Sequence, residues 1–233
     1  MQTLENQILL SDPRVADIPT IDNEEKLISL RQYNPELPSC SPKPSIAGSD
    51  SPTFWLRRGA HERLVYAQNK LPGGFHFLVK ETFRSISLQT TYFNRGLLAA
   101  RKRYPDASEL EIIAVTSKFT APPQVAGHPT GGAIDLTLAN ADGQELDMGC
   151  LYDENETMSE GRCFSDAQDI SEQAKRHRTM MFDALLGAGF VNYPYEWWHW
   201  SYGDKYWALV TDAPCAIYDV VDASDSTARI DGF

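Results

Sequence analysis

Residues 131–139 read GGAIDLTLA, and this stretch limits the fold more tightly than any other part of the chain. Strict alternation puts Ile134, Leu136 and Leu138 on one face of an extended strand and Ala133, Asp135 and Thr137 on the other. Three branched apolar residues on one face need a hydrophobic layer against them, so the strand belongs to a sheet with a core behind it. The same geometry turns the Asp135 carboxylate away from that core. Gly131 and Gly132 allow a sharp turn just before the strand. That turn can bring His128, seven residues before Asp135, to the same point.

Around this strand, runs of helices and non-alternating strands predict an α+β fold, with a central antiparallel sheet flanked by helices in a single domain over residues 1–233. The Pro/Ser-rich stretch at 35–53 is expected to be a long loop, and 222–233 a polar tail. FWLRRGAHERLVYAQNKL carries Leu56, Ala60, Leu64 and Ala67 at the spacing of one helical face, and Pro72-Gly73-Gly74 ends it. FHFLVKETF predicts a short strand, Leu88 to Tyr104 a helix, and LEIIAVTS a buried strand. A further helix is expected from Asp166, its N-cap, to Ala188, with Gly187 or Gly189 as the stop. FVNYPYEWWHWSYGDKYWALVTD reads as a hairpin about Gly203-Asp204. No internal repeat or sustained heptad occurs.

Charge narrows the partners. The 233 residues include 21 Lys and Arg against 32 Asp and Glu, a formal charge of −11, and the basic residues are scattered apart from two short runs. A nucleic-acid partner is therefore not expected, because phosphate binding gains from clustered cations. A membrane span is not expected either: it needs about 18 apolar residues, and Asp212 and Asp219 interrupt the apolar run from Trp207 to Val221. MQTLENQILL lacks the basic, then apolar, pattern of a secretory signal, so a cytoplasmic location is expected. Cys40, Cys150, Cys163 and Cys215 show no C-x-x-C spacing and are read as free thiols. The sequence sets no oligomeric state.

Two of the five histidines sit in unusual company. His128 precedes the strand described above, and His199 lies in YEWWHW, three residues after Glu196. Two histidines and a carboxylate form a common zinc ligand set that leaves one position for water, and a further carboxylate can act as base. In a flat strand, residues 196 and 199 face opposite sides. They converge only if a bulge or turn intervenes, which Pro194 favours. Each half alone is weak, because a histidine among aromatics is more often a packed core residue, and the core reading is also favoured for Trp197, Trp198 and Trp200.

Together, AGHPTGGAIDLTL and EWWHW resemble the motifs S-x-H-x-x-G-x-A-x-D and E-W-W-H of the zinc D,D-peptidases, the VanX-type D-alanyl-D-alanine dipeptidase family. The segment FWLRRGAHERLVYAQNKLPGGFHFLVKETFR is similar to the family's lead into its catalytic arginine, and DMGCLYD to its M-G-x-x-aromatic-D element. The resemblance runs from about Leu27 to Leu209. It implies an architecture shared with D,D-peptidases and hedgehog domains, and one zinc ion per chain held by His128, Asp135 and His199. It implies Glu196 as the general base that passes a proton to the leaving amine, and Arg84 as the partner of the developing oxyanion. It further implies Asp153 as the anchor for the substrate's free ammonium. Tyr33 is either a substrate contact or a simple loop tyrosine. Arg84 has a plainer alternative as a surface ion pair, and His61, His76 and His177 are read as surface or structural residues.

The chain departs from the family wording in three places. Ala126 stands where the family has Ser, Phe83-Arg84-Ser85 replaces Y-R-P, and ENETMSEGRCF follows Asp153. The resemblance implies a zinc dipeptidase acting on small dipeptides, with D-alanyl-D-alanine as the default substrate. The alternatives are a D,D- or L,D-carboxypeptidase on longer cell-wall peptides, a hydrolase of a modified dipeptide, and a non-catalytic zinc-containing binding module. Glu196 and Arg84 count against the last, since binding alone needs neither base nor oxyanion partner.

Overall fold

The computed structural model describes residues 7–33, 54–222 and 229–230. Asp12 caps α1 (Pro13–Asp17) by accepting from the Arg14 amide. The chain continues through β1 (Leu27–Ser29) and α2 (Leu30–Tyr33), and resumes with β2 (Trp55–Arg57), α3 (Arg58–Gln68) and β3 (Phe75–Glu81). Next come α4 (Ile86–Arg103), α5 (Glu109–Ser117), a single 3-10 turn at His128–Thr130 and β4 (Ala133–Asn140). The last elements are α6 (Glu172–Gly187), β5 (Val191–Asn192), β6 (His199–Ser201), α7 (Lys205–Val210) and β7 (Arg229–Ile230).

The central sheet has the order β3-β4-β6-β5 and is antiparallel throughout. A smaller sheet, β2-β1-β7, contains one parallel pair, β1 with β7. Behind the central sheet, Ala60, Leu64 and Ala67 of α3 and Met181, Ala184 and Leu185 of α6 share one core with Ile134, Leu136 and Leu138. The leucine, isoleucine and methionine side chains among them each contribute roughly 1.5–3 kcal/mol on burial. A slip of β4 by one residue would forfeit all three at once, so its register is fixed and Asp135 is held on the far face.

Four expectations are corrected. LEIIAVTS is helix α5, not a strand: Ser108 and Glu111 form a reciprocal capping box that starts it. The stretch at Trp55–Arg57 is strand β2, so Leu56 belongs to a strand and the helix begins at Arg58. α6 is capped by Ser171, five residues after Asp166. The run after Gly203-Asp204 is helix α7, because the Asp204 side chain caps it by accepting from the Trp207 amide. The hairpin of this region instead joins β5 to β6. The loop at 35–53 and most of the tail at 222–233 lie outside the described residues.

Candidate metal and catalytic site

Cross-strand register builds the site. Asp135 of β4 pairs directly with His199 of β6 on one side and with Glu81 of β3 on the other. Directly opposed residues in an antiparallel sheet point to the same face, so these three side chains form one row on the face away from the core. A bulge makes this possible. The register shifts between Val79 and Glu81, so that Val79 faces Leu136 and the core while Glu81 joins Asp135.

His128 arrives from the 3-10 turn. Gly131 follows it at φ +74°, and a Cβ there would lie 2.3 Å from Leu27 Cδ2. A Cβ on Gly132 would lie 2.4 Å from the Tyr202 carbonyl oxygen. The two glycines thus let the chain pass tightly beneath its neighbours and present His128 to Asp135, as the sequence predicts. His128 Nδ1 lies 2.6 Å from the Thr82 carbonyl, which fixes Nδ1 as the protonated nitrogen and leaves the Nε2 lone pair facing the cluster. Nε2 is 3.4 Å from Asp135 Oδ1, and His199 Nδ1 is 2.9 Å from that same oxygen.

One ligand atom from each of His128, Asp135 and His199 lies within 4.8 Å of the other two, and all three residues are buried. Two imidazoles and a carboxylate converging in this way are the donor set of a zinc site with an open position, so the residues fit the metal. Burial pushes the Asp135 pKa up, but the His128 and His199 rings outweigh it and hold the carboxyl well below its usual range. Tyr152 donates to Asp135 Oδ2 at 3.0 Å. Burial and the charges of Asp135, Glu81 and Asp153 keep its phenol well above the ordinary pKa, so it remains a donor.

Glu196 and His199 converge through a turn, the condition that the sequence sets. The Glu196 amide donates to the Tyr193 carbonyl and the His199 amide to the Glu196 carbonyl. Asn192 clamps this turn, its side-chain amide donating to the carbonyls of Glu196 at 3.1 Å and His199 at 2.9 Å. Trp197, Trp198 and Trp200 lie in the core, and Trp198 also lines the site.

Arg84 is buried, not a surface residue. Its Nε and Nη2 donate to the two Glu81 carboxylate oxygens at 2.7 and 2.8 Å, and Nη1 donates to Gln89 Oε1 at 2.7 Å. Burial alone would lower its pKa, and Glu81 outweighs this and raises it. A guanidinium has five N–H donors. Three are used here, so Nη1 and Nη2 each retain one N–H. Ser85, in place of the family's proline, caps α4 by accepting from the Leu88 amide.

One cavity of about 470 Å³ is lined by His128, Asp135, His199, Glu196, Arg84 and Asp153. Ala126 is buried in its wall. Asp153 adopts φ +71°, a left-handed conformation that Asp tolerates better than most residues. Tyr33 ends α2, and its side chain lies outside the described residues. His61 is buried on α3, His76 lies on β3, and His177 Nδ1 meets the Asp147 carbonyl at 2.7 Å. None of these three belongs to the cluster.

Sequence reasoning missed Glu81, Gln89, Tyr152 and Asn192. Glu81 was within sight, three residues before Arg84 in ETFR. Gln89 gave no signal, since its role depends on α4 passing beside Arg84. Among the described residues, no helix is long and apolar enough to cross a membrane.

Residues 58–218 match the protein family described as D-ala-D-ala dipeptidase, Peptidase M15. A D-alanyl-D-alanine dipeptidase of Synechocystis sp. is 31% identical over 141 residues, covering 57% of this chain and 56% of its own. A protein of the same name from Escherichia coli is 39% identical over 76 residues, covering 33% and 37%. Another from Enterococcus faecalis is 29% identical over 109 residues, covering 46% and 50%. The chain therefore spans about half, or less, of the length of these relatives.

Proposed function

Because the chain belongs to the D-ala-D-ala dipeptidase family of M15 peptidases, we propose that it is a zinc-dependent dipeptidase, with D-alanyl-D-alanine as the default substrate. The observation that carries this reading is the convergence of His128, Asp135 and His199 in the cavity that Arg84 and Glu196 also line.

His128, Asp135 and His199 would hold the metal. Zinc in such a site supplies a Lewis acid that polarises an amide carbonyl and makes water acidic enough to lose a proton near neutral pH. The Glu196 carboxylate takes the proton from the attacking water. As the new C–O bond forms and the peptide C–N bond breaks, Glu196 returns that proton to the leaving nitrogen. The remaining N–H groups on Arg84 Nη1 and Nη2 donate to the carbonyl oxygen as it gains negative charge. Glu81 and Gln89 keep the guanidinium from turning away. The Asp153 carboxylate pairs with the substrate's ammonium, which favours a dipeptide over an internal peptide bond.

Ala126 favours a second reading, hydrolysis of a modified dipeptide. It removes a hydroxyl from the cavity wall, and a lost polar contact in a small pocket can alter selectivity by orders of magnitude. The Ser85 departure is accounted for by its capping of α4.

The test is to offer zinc-loaded protein a panel of D,D-, L,D- and L,L-dipeptides and identify the released amino acids by chirality. Hydrolysis of at least one member is expected, and turnover of none would sink the enzyme reading. N-acetylation of the preferred dipeptide should abolish turnover, whereas a carboxypeptidase would tolerate the acetyl group.

A further inference from the structure

The cavity receives a second arginine whose role the dipeptidase mechanism leaves open. Gln89, Tyr92 and Arg95 recur every three residues along α4, and all three line the cavity. That spacing puts them on one side of the helix. Gln89 is committed to Arg84, and the Tyr92 ring centre lies 5.0 Å from Arg84 Cζ. Arg95 is exposed at the cavity wall and, among the described residues, makes no ion pair or hydrogen bond.

Charge balance gives this arginine a task. Of the two arginines lining the cavity, Arg84 is already matched by Glu81, which binds it through both carboxylate oxygens. The cavity also presents Asp153, Glu196 and Asp135. The metal and the substrate's ammonium answer those anions. A free dipeptide also brings a carboxylate, which Asp153 and Glu196 would repel. Like charges at close range in a partly desolvated site oppose binding strongly, so the carboxylate needs a cation that is not already paired. Arg95 meets that description.

The spacing along α4 leaves such a contact within reach. Six residues of α-helix, at a rise of 1.5 Å each, set Arg95 about 9 Å farther along α4 than Gln89, which fixes Arg84. One extended residue beyond the scissile carbonyl covers roughly 3.5 Å, and the long arginine side chain can fold back over the remainder. An acidic side chain on that residue would close the same gap from the substrate's side.

We propose that Arg95, beside Tyr92, forms a carboxylate subsite that selects dipeptides carrying a free carboxylate on the residue after the scissile bond. This rests on the dipeptidase reading and names the end of the substrate that α4 recognises. The carboxylate is either the main-chain terminus or an acidic side chain.

The experiment compares zinc-loaded wild type with Arg95→Ala and Arg95→Lys on D-alanyl-D-alanine, its C-terminal amide and D-alanyl-D-glutamate. Binding of the same compounds to the Glu196→Gln protein, with and without Arg95→Ala, is measured by calorimetry. Losing one charge-assisted contact should raise KM and Kd about 10- to 100-fold, with kcat falling much less and Arg95→Lys intermediate. If the main-chain terminus is read, the amide binds wild type poorly and is indifferent to Arg95→Ala. If a side chain is read, D-alanyl-D-glutamate is preferred and it alone suffers from the substitution. Unchanged KM and Kd for every free acid, alongside normal wild-type turnover, overturns the subsite and leaves the dipeptidase reading standing. A wild type that neither binds nor cleaves any of the compounds overturns both.

Discussion

Glu196 and His199 stand three residues apart on one turn, yet they carry different tasks in the proposed chemistry. Asp135 Oδ1 lies 2.9 Å from His199, which ties His199 into the metal cluster, whereas Glu196 lines the cavity outside that group of three. Glu196→Ala should therefore retain metal and lose turnover by roughly two to four orders of magnitude, the usual contribution of a general base. His199→Ala should lose the metal itself. Metal content by atomic absorption, set beside dipeptide turnover, separates the two, and equal metal loss in both variants would make Glu196 a ligand. At this scale the sequence was most informative. His128, Asp135, Glu196 and His199 are chemically unusual residues at telling spacings. Gln89 and Tyr152 are ordinary residue types that matter only because distant backbone brings them to Arg84 and Asp135.

At the level of elements, the strand β4 is legible because alternation is a strong local signal, whereas α5 reads as a strand because its run is rich in Ile and Val. The deciding information lay just upstream. Ser108 accepts from the Glu111 amide, and the Glu111 carboxylate accepts from the Ser108 amide at 2.7 Å. Two donors at the helix start are thereby satisfied, and this outweighs the weak strand preference of the residues that follow. Ile112 and Thr116 then face inward one turn apart, while Leu110 remains exposed. Ser108→Ala should cost about 1 kcal/mol, which for a protein of this size lowers Tm by roughly 2–4 °C. Calorimetry checks this. An unchanged Tm would mean that packing against α4 alone holds the helix. The bulge at Lys80 shows the opposite limit of local reading: nothing in FHFLVKE marks it, because it exists to match β3 to both the core and the Asp135 row.

Across the whole molecule, acidic residues outnumber basic ones to give a formal charge of −11. The fold gives that acidity a local meaning, since Asp135, Glu196 and Asp153 reach one cavity from three separate stretches of chain. The order β3-β4-β6-β5 that gathers them could not be read from the sequence, because strand pairing across more than 60 residues leaves no local trace. Long-range closure would also make a bound metal a structural matter. A cation held by His128, Asp135 and His199 would tie the 3-10 turn and β4 to β6, and it would further offset the repulsion among the carboxylates that line the cavity. The unfolded chain spreads these ligands apart and gains little from the metal, so binding adds to stability by mass action, about 2.7 kcal/mol at a free metal concentration 100 times Kd. Chelation should therefore lower Tm by several degrees, and zinc should restore it in proportion to the logarithm of its concentration. His199→Ala should show neither response. A Tm that ignores zinc in the wild type would mean that the three side chains converge without binding the ion.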